Sequence, residues 1–408
     1  MKVLINAYAC SPGMGSEPGM GWNWVVNLAK HCELFIITES EFKDKIEAVL
    51  PSLPQRDNMH FYYNPVPDKV RDMCWNQGDW RFYWYYRKWQ KTTLKIAREI
   101  CAGNNIDILH QLNMIGFREP GLLWKIKGYK FVWGPVGGME TMPIAYLKGA
   151  GWKMILFNRL KNLINSLQYR FQPNVRRAVR KADALIAATA GCKRNLEAFY
   201  HKNAVLLNET GCQASLKGQI EKKNGGPGLK VLWVGKFDFR KQLPLAIKAI
   251  AQVKDLDVHL SIAGSGDKTP HIALARELGV SDKIEFLGQV DHDKMNDLMQ
   301  ESDAFMFTSI MDATSTVVME ALQNRLPIIC FDTCGFGTVV DETVGIKVKI
   351  STPEQSVKDF GSALRTLYED RDYLLKLSEG CKERLKLFEW DKKAQDMVDI
   401  YKCTTTLT

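Results

Sequence analysis

At 408 residues the chain is long enough for two domains, each able to bury a full core. With 46% apolar and 25% charged residues its composition is ordinary for a soluble globular protein. No stretch reaches the roughly 18 uninterrupted apolar residues of a membrane span, which excludes that class. The net charge is +9, and its placement is uneven. Between Thr141 and Ala182 lie Lys148, Lys153, Arg159, Lys161, Arg170, Arg176, Arg177, Arg180 and Lys181, with no acidic residue. Taking these nine from the 55 basic residues leaves 46, which balance the 46 acidic ones, so the whole excess sits in this one segment.

Short apolar strands alternate with helical patterns along the chain, which predicts parallel sheets with crossover helices. Strands are expected at 2–7, 34–38, 106–110, 131–134, 184–188 and 204–207, then at 230–234, 258–263, 283–287, 304–308, 327–331 and 345–348. The start, Met1 to Cys10, reads as a core strand, having one basic residue and no long apolar run or cleavage site of a signal peptide. A cytoplasmic protein is therefore expected. The ten cysteines are scattered, several inside apolar strands, and read as free thiols in a reducing compartment. Cys330 and Cys334 lack the second pair or His cluster that a zinc site would need.

After the first strand comes Ser11-Pro-Gly-Met-Gly-Ser-Glu-Pro-Gly-Met-Gly-Trp22 and an amphipathic helix to Ala29. Its glycines let backbone amides approach an anion or sugar, or simply make a turn, and their spacing is not that of a dinucleotide fingerprint. Between Trp75 and Arg98, aromatic residues crowd among basic ones. Stacked aromatics can read nucleic acid, but this density favours a helix packed on a sheet, with a membrane-facing or acceptor-binding edge as the third reading. No nucleic-acid partner is expected. His110 and Asn113 end a strand, and Trp133 to Glu140 is a second glycine turn. The polar, glycine-rich 215–228 reads as a linker between domains 1–214 and 229–390, with a last helix, about 391–408, crossing back onto the first.

In the second half, Lys236 and Lys241 lie in a strand-to-helix turn, where two ammonium groups suit a diphosphate. The stretch Ser309 to Asn324 runs from an apolar strand into an amphipathic helix, with Asp312 in the loop and Thr314, Ser315 and Thr316 at the helix start. Free amides at a helix N-terminus favour a phosphate, and Thr314, Ser315 and Thr316 supply them here together with their hydroxyls. Glu320, one turn deeper than Thr316, would repel a phosphate but can accept hydrogen bonds from sugar hydroxyls. The bland reading is a helix cap with solvated carboxylates.

An acidic residue, seven residues, then Glu-Ala-Leu before a Pro-Ile-Ile strand resembles the signature of family 4 of the retaining glycosyltransferases. Asp312 stands where the family usually has Glu. The resemblance implies the GT-B fold: α/β, with two Rossmann-like doubly wound domains facing across a cleft. It implies that Asp312 holds the donor sugar, that Lys241 and Lys236 (the latter where Arg is commoner) stabilise the diphosphate, and that Ser315, Thr316 and Val317 bind its oxygens. Glu320 would hold the ribose, the backbone around Val290 would read the base, and Gly15 and Ser16 would face the donor phosphates. His110 or Asn113 would stand where the family often places a His near the donor sugar.

The implied function is a retaining, bacterial polysaccharide-assembly type of hexosyltransferase. It would move a sugar from a nucleotide-diphosphate sugar to a saccharide or lipid-linked saccharide by front-face displacement. No cofactor and no metal are expected, since no short Asp-X-Asp pair ends a strand and the lysines already supply positive charge. A sugar-nucleotide epimerase of the same fold and a non-catalytic nucleotide-sugar-binding protein are the alternatives. The basic segment 141–182, interleaved with apolar residues, is expected to touch an anionic membrane at its inner face, the competing account being a helix packed on its own sheet.

Overall fold

The computed structural model describes residues 1–76, 79–213, 226 and 228–406. They form two compact units: residues 1–139, 166–211 and 390–408 make unit 1, and residues 140–165 and 212–389 make unit 2. The linker expected at 215–228 lies almost wholly outside the described residues.

Unit 1 is built on seven parallel strands: β1 (Lys2–Ala7), β2 (Glu33–Glu39), β3 (Met59–Asn64), β4 (Ile108–Asn113), β5 (Lys130–Val136), β6 (Ala184–Ala187) and β7 (Val205–Leu206), in the order β3-β2-β1-β4-β5-β6-β7. Unit 2 has six: β8 (Leu229–Val234), β9 (Val258–Ala263), β10 (Ile284–Gly288), β11 (Ala304–Phe307), β12 (Ile328–Phe331) and β13 (Gly345–Val348), in the order β10-β9-β8-β11-β12-β13. Both are doubly wound sheets whose strand order reverses beside the first strand, between β1 and β4 and between β8 and β11. The central strands are continuous apolar runs because helices cover both faces: Val3, Leu4 and Ile5 of β1, like Phe305 and Met306 of β11, are fully buried. Strand β3 was not expected from the sequence. It lies at a sheet edge, and its inner four residues, His60 and the aromatics Phe61, Tyr62 and Tyr63, are all half-buried, so no apolar alternation marks it.

The division of the chain also differs from the single first domain expected over 1–214. Residues 140–165 belong to unit 2 because Met142, Tyr146 and Leu147 enter its hydrophobic core. Tyr146 shares a 2.6 Å hydrogen bond with Ser356 and packs edge-on to Phe331 at 5.5 Å. The final helix, Trp390–Thr406, belongs to unit 1. There Trp390 meets Trp24 edge-on at 5.4 Å, and the buried Lys393 donates to the Asn208 carbonyl at 2.6 Å.

The aromatic segment forms the helix Arg81–Gly103. One face is core: Phe82, Tyr86 and Trp89 surround the ring of Tyr8 at 4.9 to 5.7 Å, all edge-on. The other leaves Tyr83 and Trp84 exposed, along with Trp80 just before the helix.

Candidate functional site

In unit 2 the loops that follow β8 and β11 leave adjacent strands at the point where strand order reverses, which is where open α/β sheets bind ligands. That adjacency brings together Lys241 and Asp312, 71 residues apart: the ammonium Nζ lies 2.7 Å from Asp312 Oδ2 and 4.6 Å from the centre of the Phe307 ring. Both side chains are mostly buried, at 15% and 27% exposed, so the pair is little screened by solvent.

The turn carrying Lys241 is held from several sides. Asp238 Oδ1 accepts from the backbone N–H of Arg240 at 2.8 Å and of Lys241 at 3.3 Å, while its Oδ2 pairs with the Arg240 guanidinium at 2.8 Å. Burial works to raise the Asp238 carboxyl, but Arg240 and the backbone donors outweigh it and hold the group below the usual carboxylate range. Thr308, fully buried just past β11, donates to the Lys241 carbonyl at 2.7 Å and accepts from Trp233 Nε1 at 3.0 Å. The Ile310 N–H donates to the Arg240 carbonyl at 2.9 Å. Thr308 and Asp238 were missed at the sequence level because neither carries a motif; their role exists only once the two loops are neighbours. Lys236, at the head of the same turn, is exposed.

The expected helix is Thr316–Gln323, preceded by an extended Ser315 whose side chain makes no capping hydrogen bond, so the first-turn amides take no partner from that hydroxyl. Thr316 is exposed, and Ser315, Val317 and Glu320 are half-buried. Glycine is required beside this turn: a Cβ on Gly335 would lie 1.9 Å from Thr314 Oγ1. Cys334 sits under the loop, its sulfur accepting from the Asp312 N–H at 3.4 Å. Burial pushes its thiol up to about 12, which keeps it protonated and unreactive. Cys330 and Cys334 are both free, and no group of three or more metal-ligating side chains occurs among the described residues.

Beside the β8 turn a cavity of about 510 Å³ opens at the ends of β9 and β10, lined by Phe237, Gly264, Gly266, Phe286, Gly288 and Gln289. At Gly264, where φ is 154°, a Cβ would lie 1.8 Å from the Gly235 carbonyl, so only glycine lets the two turns touch. Val290 follows directly and is half-buried.

In unit 1, Gly15 and Ser16 are exposed at the start of the helix Ser16–Leu28, with Ser16 left-handed at φ 55°. The glycine turn they belong to packs closely, since a Cβ on Gly21 would lie 2.3 Å from the Ala9 carbonyl. Glu17, which sequence reasoning passed over, turns inward and accepts from the Ile115 N–H at 2.7 Å; burial raises its carboxyl.

Two of the expected site residues lie inside unit 1. His110 is fully buried, its Nε2 2.7 Å from the Gly134 carbonyl and its Nδ1 2.6 Å from the Tyr401 hydroxyl. A carbonyl can only accept, so Nε2 carries the proton and Nδ1 accepts from Tyr401. Burial lowers its pKa to about 4, so the ring is neutral, with no lone pair or proton left for a substrate. Asn113 is also fully buried, its amide spent on Ala9: Nδ2 donates to the Ala9 carbonyl at 2.6 Å and Oδ1 accepts its N–H at 3.4 Å. Both brace unit 1 from within, their polar side-chain atoms hydrogen-bonded to its own residues.

Residues 218–384 match the family model described as glycosyl transferases group 1. The chain is similar to an uncharacterised glycosyltransferase of Methanocaldococcus jannaschii, 26% identical over 42% of this chain and 44% of that one. It is also similar to the N-acetylgalactosamine-N,N'-diacetylbacillosaminyl-diphospho-undecaprenol 4-alpha-N-acetylgalactosaminyltransferase of Campylobacter jejuni, 27% identical over 58% of this chain and 64% of that one. It spans 38 to 53% of the length of three curated relatives, the Methanocaldococcus protein and two named D-inositol 3-phosphate glycosyltransferase. Among solved structures, a glycosyltransferase from Rickettsia africae superposes with a TM-score of 0.61 at 16% identity, covering 100% of this chain and 99% of that one. The protein therefore has the fold of the GT-B glycosyltransferases, and its residues 218–384 carry the sequence pattern of glycosyl transferases group 1.

Proposed function

We propose that the protein is a retaining glycosyltransferase that moves a hexosyl group from a nucleoside-diphosphate sugar to a saccharide or lipid-linked saccharide. The observation that carries this reading is the Lys241–Asp312 ion pair at the point where sheet order reverses, beside the Thr316–Gln323 helix start. Lys241 and Lys236 neutralise the diphosphate, and the amides of Ser315, Thr316 and Val317 take its oxygens. Asp312 orients the sugar, Glu320 holds the ribose and the backbone at Val290 meets the base. The open backbone of Gly15 and Ser16 is offered to a substrate oxyanion. In the reaction the bond from the anomeric carbon to the phosphate oxygen breaks as the acceptor oxygen bonds on the same face. The acceptor proton passes to the departing diphosphate, so no protein nucleophile is needed and positioning with charge neutralisation supplies the catalysis.

The name of the Campylobacter relative specifies a diphospho-undecaprenol acceptor, which supports a lipid-linked acceptor here. We place the enzyme in the cytoplasm at the inner face of the membrane, touching anionic lipid through residues 141–182. Two lysines in the diphosphate turn support a metal-independent reaction.

The test is to find UDP-sugars or GDP-sugars that raise the melting temperature, then to follow their consumption with saccharide acceptors, with and without chelator. Transfer with an unchanged anomeric configuration and no response to chelator is expected. A donor that binds and is never consumed would leave a binding protein, and activity restored only by Mg²⁺ or Mn²⁺ would refute metal independence.

A further inference from the structure

The helix Trp152–Phe171 is turned opposite to an ordinary surface helix. Trp152, Leu156, Leu160, Leu163, Leu167 and Phe171 recur every three or four residues and so share one face, yet they are between 46 and 70% exposed. The inward face mixes the core ring of Tyr169 and the half-buried Ile155 with three asparagines. Asn158 and Asn165 are buried, and Asn162 is clamped to the backbone of Met142, donating to its carbonyl at 2.9 Å and accepting its N–H at 3.0 Å. Because that clamp fixes the rotation, the leucines cannot turn inward without breaking it. A helix packed on its own sheet by its apolar face is therefore not what this segment forms. The following helix, Pro173–Lys181, is ordinary by contrast: Val175, Ala178 and Val179 are buried and its arginines point outward.

Lys153, Arg159, Lys161 and Arg170 border the apolar stripe on both sides, and no acidic residue occurs from 141 to 182. This charge decides the occupant. A second copy of the chain would set one basic margin against another, and a nucleic acid would bring phosphates onto the leucines. An anionic lipid surface satisfies both features, with acyl chains for the stripe and headgroup phosphates for its margins. No helix among the described residues is long and apolar enough to cross a membrane, so this one would lie in the plane of the surface.

We propose that the outward face of the Trp152–Phe171 helix inserts in plane at the boundary of headgroups and acyl chains of an anionic bilayer. This inference rests on the membrane contact proposed above and narrows it to one helix; it does not depend on the transferase chemistry. The full-length protein is incubated with vesicles of phosphatidylcholine, alone or mixed with phosphatidylglycerol, at low and high salt. Wild type is expected to bind the mixed vesicles more tightly and to keep part of that binding at high salt. The triple change Leu156→Ser, Leu160→Ser and Leu163→Ser removes exposed side chains, leaves the melting temperature unchanged, and lowers partition at least about tenfold. Replacing Arg176, Arg177 and Arg180, which lie on the next helix, by Gln lowers it less than the serine change does, and an equal or larger drop would overturn the leucine face as the main contact. Serine changes without effect, or binding wholly abolished by salt, would overturn the inserted face while leaving a charge-driven membrane contact. Failure of wild type to bind mixed vesicles would overturn both, and donor consumption with a water-soluble acceptor would still report the transferase separately.

Discussion

Replacing Lys241 by Ala removes the ammonium that lies 2.7 Å from Asp312 at the proposed diphosphate position. A unit charge about 4 Å away contributes about 4 kcal/mol at the effective dielectric of about 20 that suits partly buried pairs. The diphosphate is already charged when the donor binds, so only the charge that develops as the bond breaks counts toward turnover. If about half a charge has developed, the loss in turnover is about 2 kcal/mol, or roughly thirtyfold in kcat, in addition to the donor affinity lost with the standing charge. The same change leaves the Asp312 carboxylate, 27% exposed, without its partner, which costs about 1 to 3 kcal/mol of stability. Adding Asp312→Asn relieves that cost without returning the charge, so the double variant should regain stability and not turnover. Initial rates across a donor series at saturating acceptor, with melting curves for each variant, separate the two effects. The reasoning is refuted if kcat stays unchanged and the whole loss appears in donor KM, or if Asp312→Asn restores turnover along with stability.

Glu320→Gln should behave in the opposite way, because a ribose contact is made equally before and during the reaction: donor affinity falls about tenfold and kcat holds. Unchanged donor affinity in a titration would remove Glu320 from the ribose. His110→Gln tests the brace reading through pH. Burial lowers the native pKa from 6.5 to about 4, so the unfolded chain takes up the proton first. The native stability is therefore intact above about pH 6.5 and falls as pH drops toward about 4, by roughly 2 kcal/mol at pH 5. The wild type should lose about that much more than the Gln variant between about pH 7.5 and pH 5 in denaturant titrations. Equal pH slopes would show that His110 is not held neutral in the folded state.

Much of the architecture is legible in the residues themselves because its causes are local. A strand buried on both faces is marked by a short apolar run, so the runs 3–5 of β1 and 231–234 of β8, and all of β11, declare themselves. The Thr316–Gln323 helix and the exposed loop at Gly15 and Ser16 are likewise short-range consequences of helix periodicity and glycine. Where a cause is long-range the residues are silent. That β8 neighbours β11 is what pairs Lys241 with Asp312 and gives Thr308 a turn to hold. His110 and Asn113 look like ligand residues at a strand end, and only the packing of Tyr401, Gly134 and Ala9 around them shows that their hydrogen bonds are already used. Periodicity gave the Trp152–Phe171 helix an apolar face and a polar one, but which faces inward is a tertiary decision. It is marked by the contacts of the other side, where Tyr169 enters the core of unit 1, Ile155 packs against that of unit 2 and the half-buried Asn162 holds both backbone groups of Met142.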